Sequence, residues 1–266
     1  MELSSIYRFP LKSAAGASIA ETSTDALGVV GDRRWMLVDP ASGRFLTQRV
    51  IPTMALLEAE GLDRGGLRLR WRERGELSVE APDSGAPRQV LIWGRQLLAT
   101  DAGDEAAVWL SGALGRDCRL VRLPDGQGVQ IDEDYARPGE QTAFTDGFPF
   151  MLIGDASLAD LEARVGRPLG MRRFRPNLTV SGAQPYAEDG RSLIRIGDLR
   201  FRAVKPCSRC VIPTLDPDSG VRAADGEPLK TLMSYRKRDG KVYLGQNLIA
   251  EGTGRLEVGM PVEVLA

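Results

Sequence analysis

Histidine is absent from all 266 residues of this chain. Without an imidazole, Ser-His-Asp triads, Cys-His dyads and His-ligated zinc, haem or non-haem iron centres are excluded. Acid–base work near neutral pH then falls to shifted carboxylates, Lys, Cys or bound water. Cysteine is scarce too. Cys118, Cys207 and Cys210 form an odd set in a chain too large to need disulfide staples, so reduced thiols are expected. No apolar run approaches the ~18 residues of a membrane helix, and no membrane association is expected. Met1–Ser5 shows no charged stretch leading into an apolar one, so no secretory leader is expected and the chain reads as cytoplasmic. A Gly-x-Gly-x-x-Gly turn after a strand is also missing, which excludes a Rossmann-type dinucleotide site. Charge of one sign is not in excess: 35 basic residues meet 36 acidic ones, leaving −1 and no global pull toward nucleic acid. Only 5 of the 35 are Lys; the 30 Arg carry guanidinium forks that suit phosphate or carboxylate ligands.

Apolar residues at 42% are enough for a buried core. With 30 Gly and 16 Pro, turns are frequent, which favours a strand-rich fold over a helical bundle. Ile6–Phe9, Arg34–Val38, a return through Phe45–Thr47, Leu67–Trp71 and Leu77–Glu80 all have strand character. Val90–Trp93 and Gln96–Leu98 make a hairpin about Gly94-Arg95. This spacing predicts a β-barrel or sandwich. Two helices are predicted: 104–114, ending at Gly115, and 155–165, with Asp155 or Ser157 as N-cap and Gly166 as stop. Strands resume at Leu178–Val180, Leu193–Ile196 and Leu199–Val204, and Asp239-Gly240 marks a tight turn. A soft domain boundary falls near residue 115.

Lys205-Pro206-Cys207-Ser208-Arg209-Cys210 directly follows a predicted strand, so its thiols sit where loops hold ligands. Zinc would need further ligands, and only Cys118 remains. A thioredoxin-like pair should open a helix, whereas Ile212-Pro213 follows here. Two inert core thiols are a third reading. A fourth is one thiolate acting as ligand to a soft metal centre or as a sulfur acceptor.

Cys207-Ser208-Arg209-Cys210 with Thr214-Leu215-Asp216-Pro217-Asp218-Ser219-Gly220 resembles the signature of MOSC proteins, relatives of molybdenum-cofactor sulfurase and of the mitochondrial amidoxime reducing components. Further blocks are colinear with that family: Tyr7–Ser13, Gly31–Trp35, Phe144–Phe150, Asp155–Leu158 through Phe174–Asn177, and Leu229–Leu232 with Tyr235-Arg236. The resemblance implies a mainly β fold with α+β decoration, in which an N-terminal β-rich domain (1–115) packs on a MOSC β-barrel (116–266). It implies molybdenum cofactor, with Cys210 as the catalytic metal ligand and Ser208 and Arg209 in the same loop. Lys12 and Ser13 fall on positions that hold the pterin phosphate, and Arg33 on a further anion contact. Thr145, Asp146 and Gly147 match a segment around the pterin, and Arg175 and Asn177 the Arg-Pro-Asn contact. Pro176 should bias Arg175 to an extended backbone. Asp216–Gly220 by itself reads as a tight turn.

By the same resemblance the expected activity is reduction of N-hydroxylated compounds such as amidoximes, hydroxamic acids or hydroxylamino bases. Electrons would come from a separate flavoprotein, ferredoxin or cytochrome b5-like donor. Three cysteines cannot hold a four-thiolate [2Fe–2S] cluster, and Val262–Ala266 reads as a last barrel strand rather than a lead into a ferredoxin-type domain. The alternative is a cofactor-binding or Cys210-persulfide sulfur carrier without turnover. The family as a whole is also associated with pyridoxal phosphate binding.

Overall fold

The computed structural model describes residues 1–82 and 85–266. Its largest sheet runs in the order Ala17–Ile19, Glu2–Arg8, Leu178–Ser181, Phe150–Gly154, Lys241–Ala250, Leu199–Ser208, Leu193–Ile196, Val262–Val264. One pair is parallel, Phe150–Gly154 beside Leu178–Ser181, and the connection between them carries the helix Asp155–Val165. Leu3, Ile6, Leu152, Leu178, Phe201 and Leu248 fill the core on one side of this sheet.

The barrel expected for this part is a curled sheet whose last strand reaches back to the start of Glu2–Arg8, the second strand in the order, without forming a closed ladder. Leu3 N donates to Met260 O at 2.9 Å, and Val262 N donates to Met1 O at 2.9 Å. Pro261 lies between those two contacts opposite Glu2 and has no N–H to continue the pairing. A second sheet, in the order Trp35–Val38, Arg119–Arg122, Arg95–Asp101, Pro87–Ile92, belongs to the N-terminal part. Its neighbouring core gathers Trp35, Leu37, Met54, Leu67, Leu69, Leu110 and Leu120.

Sheet membership crosses the boundary expected at residue 115 in both directions. Glu2–Arg8 pairs with Leu178–Ser181, and Arg119–Arg122 pairs with Trp35–Val38. Sequence order cannot reveal this, because strand pairing is decided by which apolar faces meet.

Both predicted helices form over the expected residues, α1 at Asp104–Leu114 and α2 at Asp155–Val165. Gly115 and Gly166 close them with φ of 64° and 80°, a left-handed turn that costs glycine least. The N-cap of α2 is a correction: Gly154 takes that place, without a side-chain cap. Ser157 is buried instead, and its hydroxyl donates to Glu188 at 2.8 Å. A third helix, α3, spans Leu229–Tyr235. The return through Phe45–Thr47 is reduced to one bridge, Val38 to Phe45. The hairpin turn is Trp93-Gly94 rather than Gly94-Arg95, since Arg95 pairs with Ile92. Asp216–Gly220 is a tight turn, with Asp216 Oδ1 accepting from the Asp218 and Ser219 amides at 3.1 and 2.9 Å. Among the described residues, no helix is long and apolar enough to cross a membrane.

Candidate functional site

A cleft of about 370 Å³ is lined by all eleven residues singled out in the sequence. Lys12, Ser13 and Arg33 come from the first part of the chain; Thr145, Asp146, Gly147, Arg175, Asn177, Ser208, Arg209 and Cys210 come from the second.

Backbone pairing explains the first group. Arg33 N donates to Phe9 O at 2.8 Å, Trp35 N to Pro10 O at 3.1 Å and Lys12 N to Trp35 O at 2.8 Å, so 9–12 runs beside 33–35. Phe144 N then donates to Arg33 O at 3.1 Å and brings Thr145–Gly147 alongside. Arg175 follows a single 3-10 turn, Met171–Phe174. Asn177 is fixed between strands: its N–H donates to Met151 O at 2.9 Å and its carbonyl accepts from Tyr7 N at 2.8 Å. Cys207 sits near the end of Leu199–Ser208, at an irregularity in its pairing between Pro206 and Ser208, and Cys210 follows two residues beyond the strand.

Six cations line the cleft against one carboxylate: Lys12, Arg33, Arg49, Arg175, Lys205 and Arg209 face Asp146. In a chain with net charge −1 this is a concentrated positive field. Lys12 is buried and donates to Phe144 O at 2.9 Å and to Asp146. Burial pushes its pKa below the lysine range, Asp146 opposes this, and Arg33 and Arg49 add to it. For Asp146, whose side chain is half-exposed, loss of water inside the cleft favours the neutral acid, but Lys12, Arg49 and Arg33 together hold its carboxyl far below the usual range. Burial and the charge of Arg33 lower Arg175 to about 9, still protonated at neutral pH. Arg175 is thus a partly buried cation with no carboxylate bonded to it among the described residues; its Nη1 donates to Ala14 O at 2.6 Å. An incoming anion relieves that cost directly.

The ring of Phe9 lies under both guanidinium groups, 4.4 Å from Arg33 Cζ and 4.2 Å from Arg175 Cζ. Arg33 also donates to Asp32 at 2.5 Å, to Asn177 Oδ1 at 3.1 Å and to Arg175 O at 3.1 Å. Cation–π contact and fixed hydrogen bonds hold this pair of forks in place.

Arg175 corrects the sequence expectation. Its φ is 59° and ψ 41°, left-handed rather than extended. A following proline disfavours the right-handed helical region, and here the chain avoids it through the left-handed one. Among the described residues seven non-glycine positions have positive φ, and four of them, Ser13, Arg33, Trp93 and Arg175, line this cleft. Such strain persists where surrounding contacts over-determine it and clusters at functional sites.

Several side chains expected to face a ligand are also held by protein. Asn177 Nδ2 donates to Tyr7 O at 3.4 Å, and Thr145 Oγ1 pairs with Thr142 Oγ1 at 2.9 Å. Arg209 donates to Cys207 Sγ at 3.1 Å and to Phe174 O at 2.7 Å, which braces the cysteine loop.

Cys207 and Cys210 are free thiols, each partly exposed, while Cys118 is buried in the N-terminal core. Burial raises the Cys118 thiol, so it is inert by comparison. The sequence reading missed Arg49. Its Nη2 lies 3.3 Å from Cys210 Sγ and 3.4 Å from Asp146 Oδ2, which joins the thiol to the cationic cluster. Trp93 and Lys205 were missed too. Lys205 opens the cysteine hexapeptide, so its position carried a signal, whereas Arg49 and Trp93 stand apart in sequence and only the fold brings them to the cleft.

A wider hollow of about 760 Å³ lies against the N-terminal sheet. Its Arg88 and Arg119 are both bonded to Asp101, at 2.6 and 2.5 Å, so little free charge faces it. The thiol-bearing cleft is the candidate site.

Comparison with known proteins agrees with the mainly β fold. The family model for the MOSC N-terminal beta barrel domain matches residues 1–117, and that for the MOSC domain matches residues 139–263. Mitochondrial amidoxime-reducing component 1 of Homo sapiens is 32% identical over 278 residues, covering 98% of this chain and 82% of that protein. Molybdenum cofactor sulfurase of Solanum lycopersicum is 31% identical over 277 residues, covering 96% of this chain and 34% of that protein, so the likeness is to about a third of it. Among solved structures, the YUAD protein of Bacillus subtilis aligns with 98% of this chain and 93% of its own at a TM-score of 0.44 and 12% identity. With both domains matched in order and a relative 32% identical across nearly its whole length, the chain belongs to the MOSC family.

Proposed function

We propose that this chain binds molybdenum cofactor in the cleft and reduces N-hydroxylated compounds in the cytoplasm, with electrons supplied by a separate protein. One observation carries this reading: a free cysteine sulfur and six cations share a cleft with a single carboxylate. Amidoxime-reducing components and molybdenum cofactor sulfurases among the relatives support it.

The donor set fits the group. Molybdenum cofactor carries a phosphate, a polar pterin and a metal that accepts soft sulfur ligands. The cleft volume lies in the range of cofactor sites. Lys12, Ser13, Arg33 and Arg175 would hold the phosphate, Arg175 gaining most because, among the described residues, no carboxylate is bonded to its partly buried charge. Asn177 keeps Arg33 aimed, and Thr145, Gly147 and Ser208 border the pterin. Cys210 would be the metal ligand, with Arg49 donating to its sulfur. Asp146 fixes Lys12 and Arg49 and stays ionised at neutral pH, so it does not carry the proton. When bound, the cofactor supplies two-electron oxygen-transfer chemistry.

The balanced reaction turns an amidoxime, two electrons and two protons into an amidine and water. With no histidine and an ionised Asp146, the protons arrive through water. A flavoprotein, ferredoxin or cytochrome b5-like protein supplies the electrons. Pyridoxal phosphate has no place in this reading: Lys12 is bonded to Phe144 and Asp146, and Lys205 lies 3.9 Å over the Tyr135 ring.

The test is amidoxime reduction by the metal-loaded chain. Turnover is expected with reduced viologen or an added redox protein, and not with NADH or NADPH alone, since no dinucleotide motif is encoded. Robust turnover with NADPH as sole donor contradicts the separate-donor part. A chain that reduces no amidoxime with any of these donors, yet carries persulfide on Cys210, is a sulfur carrier instead.

A further inference from the structure

Trp93 sits where its side chain is badly suited. With Gly94 it forms the two-residue turn between the strands Pro87–Ile92 and Arg95–Asp101. Both turn residues have positive φ, 50° and 81°, the pattern that Asn-Gly or Gly-Gly fills with least strain. Core packing does not compensate, because Trp93 is 49% exposed. A bulky residue held in the left-handed region, half in water, points to a role for the indole itself.

What the indole touches is the cleft. The Phe45 ring lies 4.7 Å away at 56°, Arg49 Cζ is 5.2 Å from the indole centroid and Lys12 Nζ 5.6 Å. Arg49 in turn reaches Cys210 Sγ at 3.3 Å. An open aromatic surface therefore stands one guanidinium away from the sulfur, at the rim of the cleft. Indole offers a large, rigid π-face at low entropic cost, and flat π-systems stack on it in preference to aliphatic groups.

We propose that Trp93 is a stacking platform that selects planar aromatic N-hydroxylated compounds, aromatic amidoximes and hydroxylamino nucleobases, over aliphatic ones. The N-hydroxylated part rests on the reductase reading above; the stacking does not. Phe45 props the indole from one side, and the strained turn holds it at the mouth rather than folded onto the sheet.

The test is equilibrium binding of benzamidoxime and acetamidoxime to metal-loaded protein, comparing wild type, Trp93→Ala and Trp93→Phe at equal molybdenum content. Benzamidoxime is expected to bind about tenfold more weakly to Trp93→Ala, in line with the loss of one base–aromatic stack, with most affinity regained in Trp93→Phe. Acetamidoxime should bind all three within twofold. Thermal unfolding of Trp93→Asn should occur at or above the wild-type midpoint, because Asn suits the turn. Equal benzamidoxime affinity in wild type and Trp93→Ala overturns the platform, as does a wild type that does not prefer the aromatic compound. A clear fall in the Trp93→Asn midpoint makes the indole a structural clasp and overturns it too. If Trp93→Ala slows only reduction by a protein donor, the surface is a donor contact and the proposal fails. Selective binding without turnover supports the platform and counts against the reductase reading alone.

Discussion

Replacing Cys210 with Ser is expected to reduce the molybdenum bound per chain to below about a tenth of wild type, while Cys207→Ser keeps most of it. Both thiols are partly exposed in the same loop, but their surroundings differ. Cys207 receives Arg209, whose guanidinium is also bonded to Phe174 O. That contact ties the loop to the sheet. Cys210 receives Arg49, which is in turn tied to Asp146 and so to Lys12, the residue placed at the phosphate. A serine hydroxyl is a harder and far less acidic ligand than a thiol, so the exchange removes the soft donor with little change in volume. Elemental analysis of both variants, expressed in a cofactor-producing host, decides the matter. Loss from Cys207→Ser with retention in Cys210→Ser reverses the assignment.

The next largest effect is expected at the phosphate end. Lys12→Ala and Arg175→Ala should each weaken cofactor retention by about ten- to a hundredfold. A charge-assisted hydrogen bond to a desolvated anion is worth ~1.5–3 kcal/mol, and each 1.4 kcal/mol is tenfold. The two variants leave different residues behind. Lys12→Ala strands Asp146 beside Arg49, whereas Arg175→Ala frees Ala14 O and uncovers one side of Phe9. Arg175→Lys separates charge from shape: a point charge remains but the planar fork is lost, so retention should fall between wild type and Arg175→Ala. Cofactor occupancy after dialysis at matched salt is one measurement. A second needs no cofactor, namely stabilisation of the cofactor-free chain by inorganic phosphate, which should shrink in both alanine variants. Unchanged values in both measurements reduce Lys12 and Arg175 to structural charges.

How much of this was legible in the sequence differs from element to element. α1 and α2 were readable to the residue because apolar periodicity ended at a glycine in both cases, Gly115 and Gly166. The cap of α2 was not, since Ser157 looks like any N-cap serine until the fold brings Glu188 to its hydroxyl. Arg175 was legible as a site residue through its motif, yet its backbone was misread: a rule about proline excludes one region without choosing between the others. The hairpin was found one residue out of place because Gly94-Arg95 reads as the more ordinary turn, and that slip concealed Trp93. The eleven motif residues converge on one cleft, which the motifs alone could not show. Arg49 had no signal at all among 30 arginines. Its place comes from the turn at Thr47, where Val50 N and Ile51 N both donate to Thr47 O, at 3.0 and 2.9 Å.

In the proposed site one sulfur, Cys210, anchors a molybdenum centre whose phosphate rests on Lys12, Arg33 and Arg175. Anomalous diffraction at the molybdenum edge, from crystals of chain purified from a cofactor-producing host, tests it most directly. A single strong peak is expected at bonding distance from Cys210 Sγ, with phosphate density against Lys12, Arg33 and Arg175. A peak on Cys207 or Cys118, or well-ordered crystals with no molybdenum peak in the cleft, would contradict it.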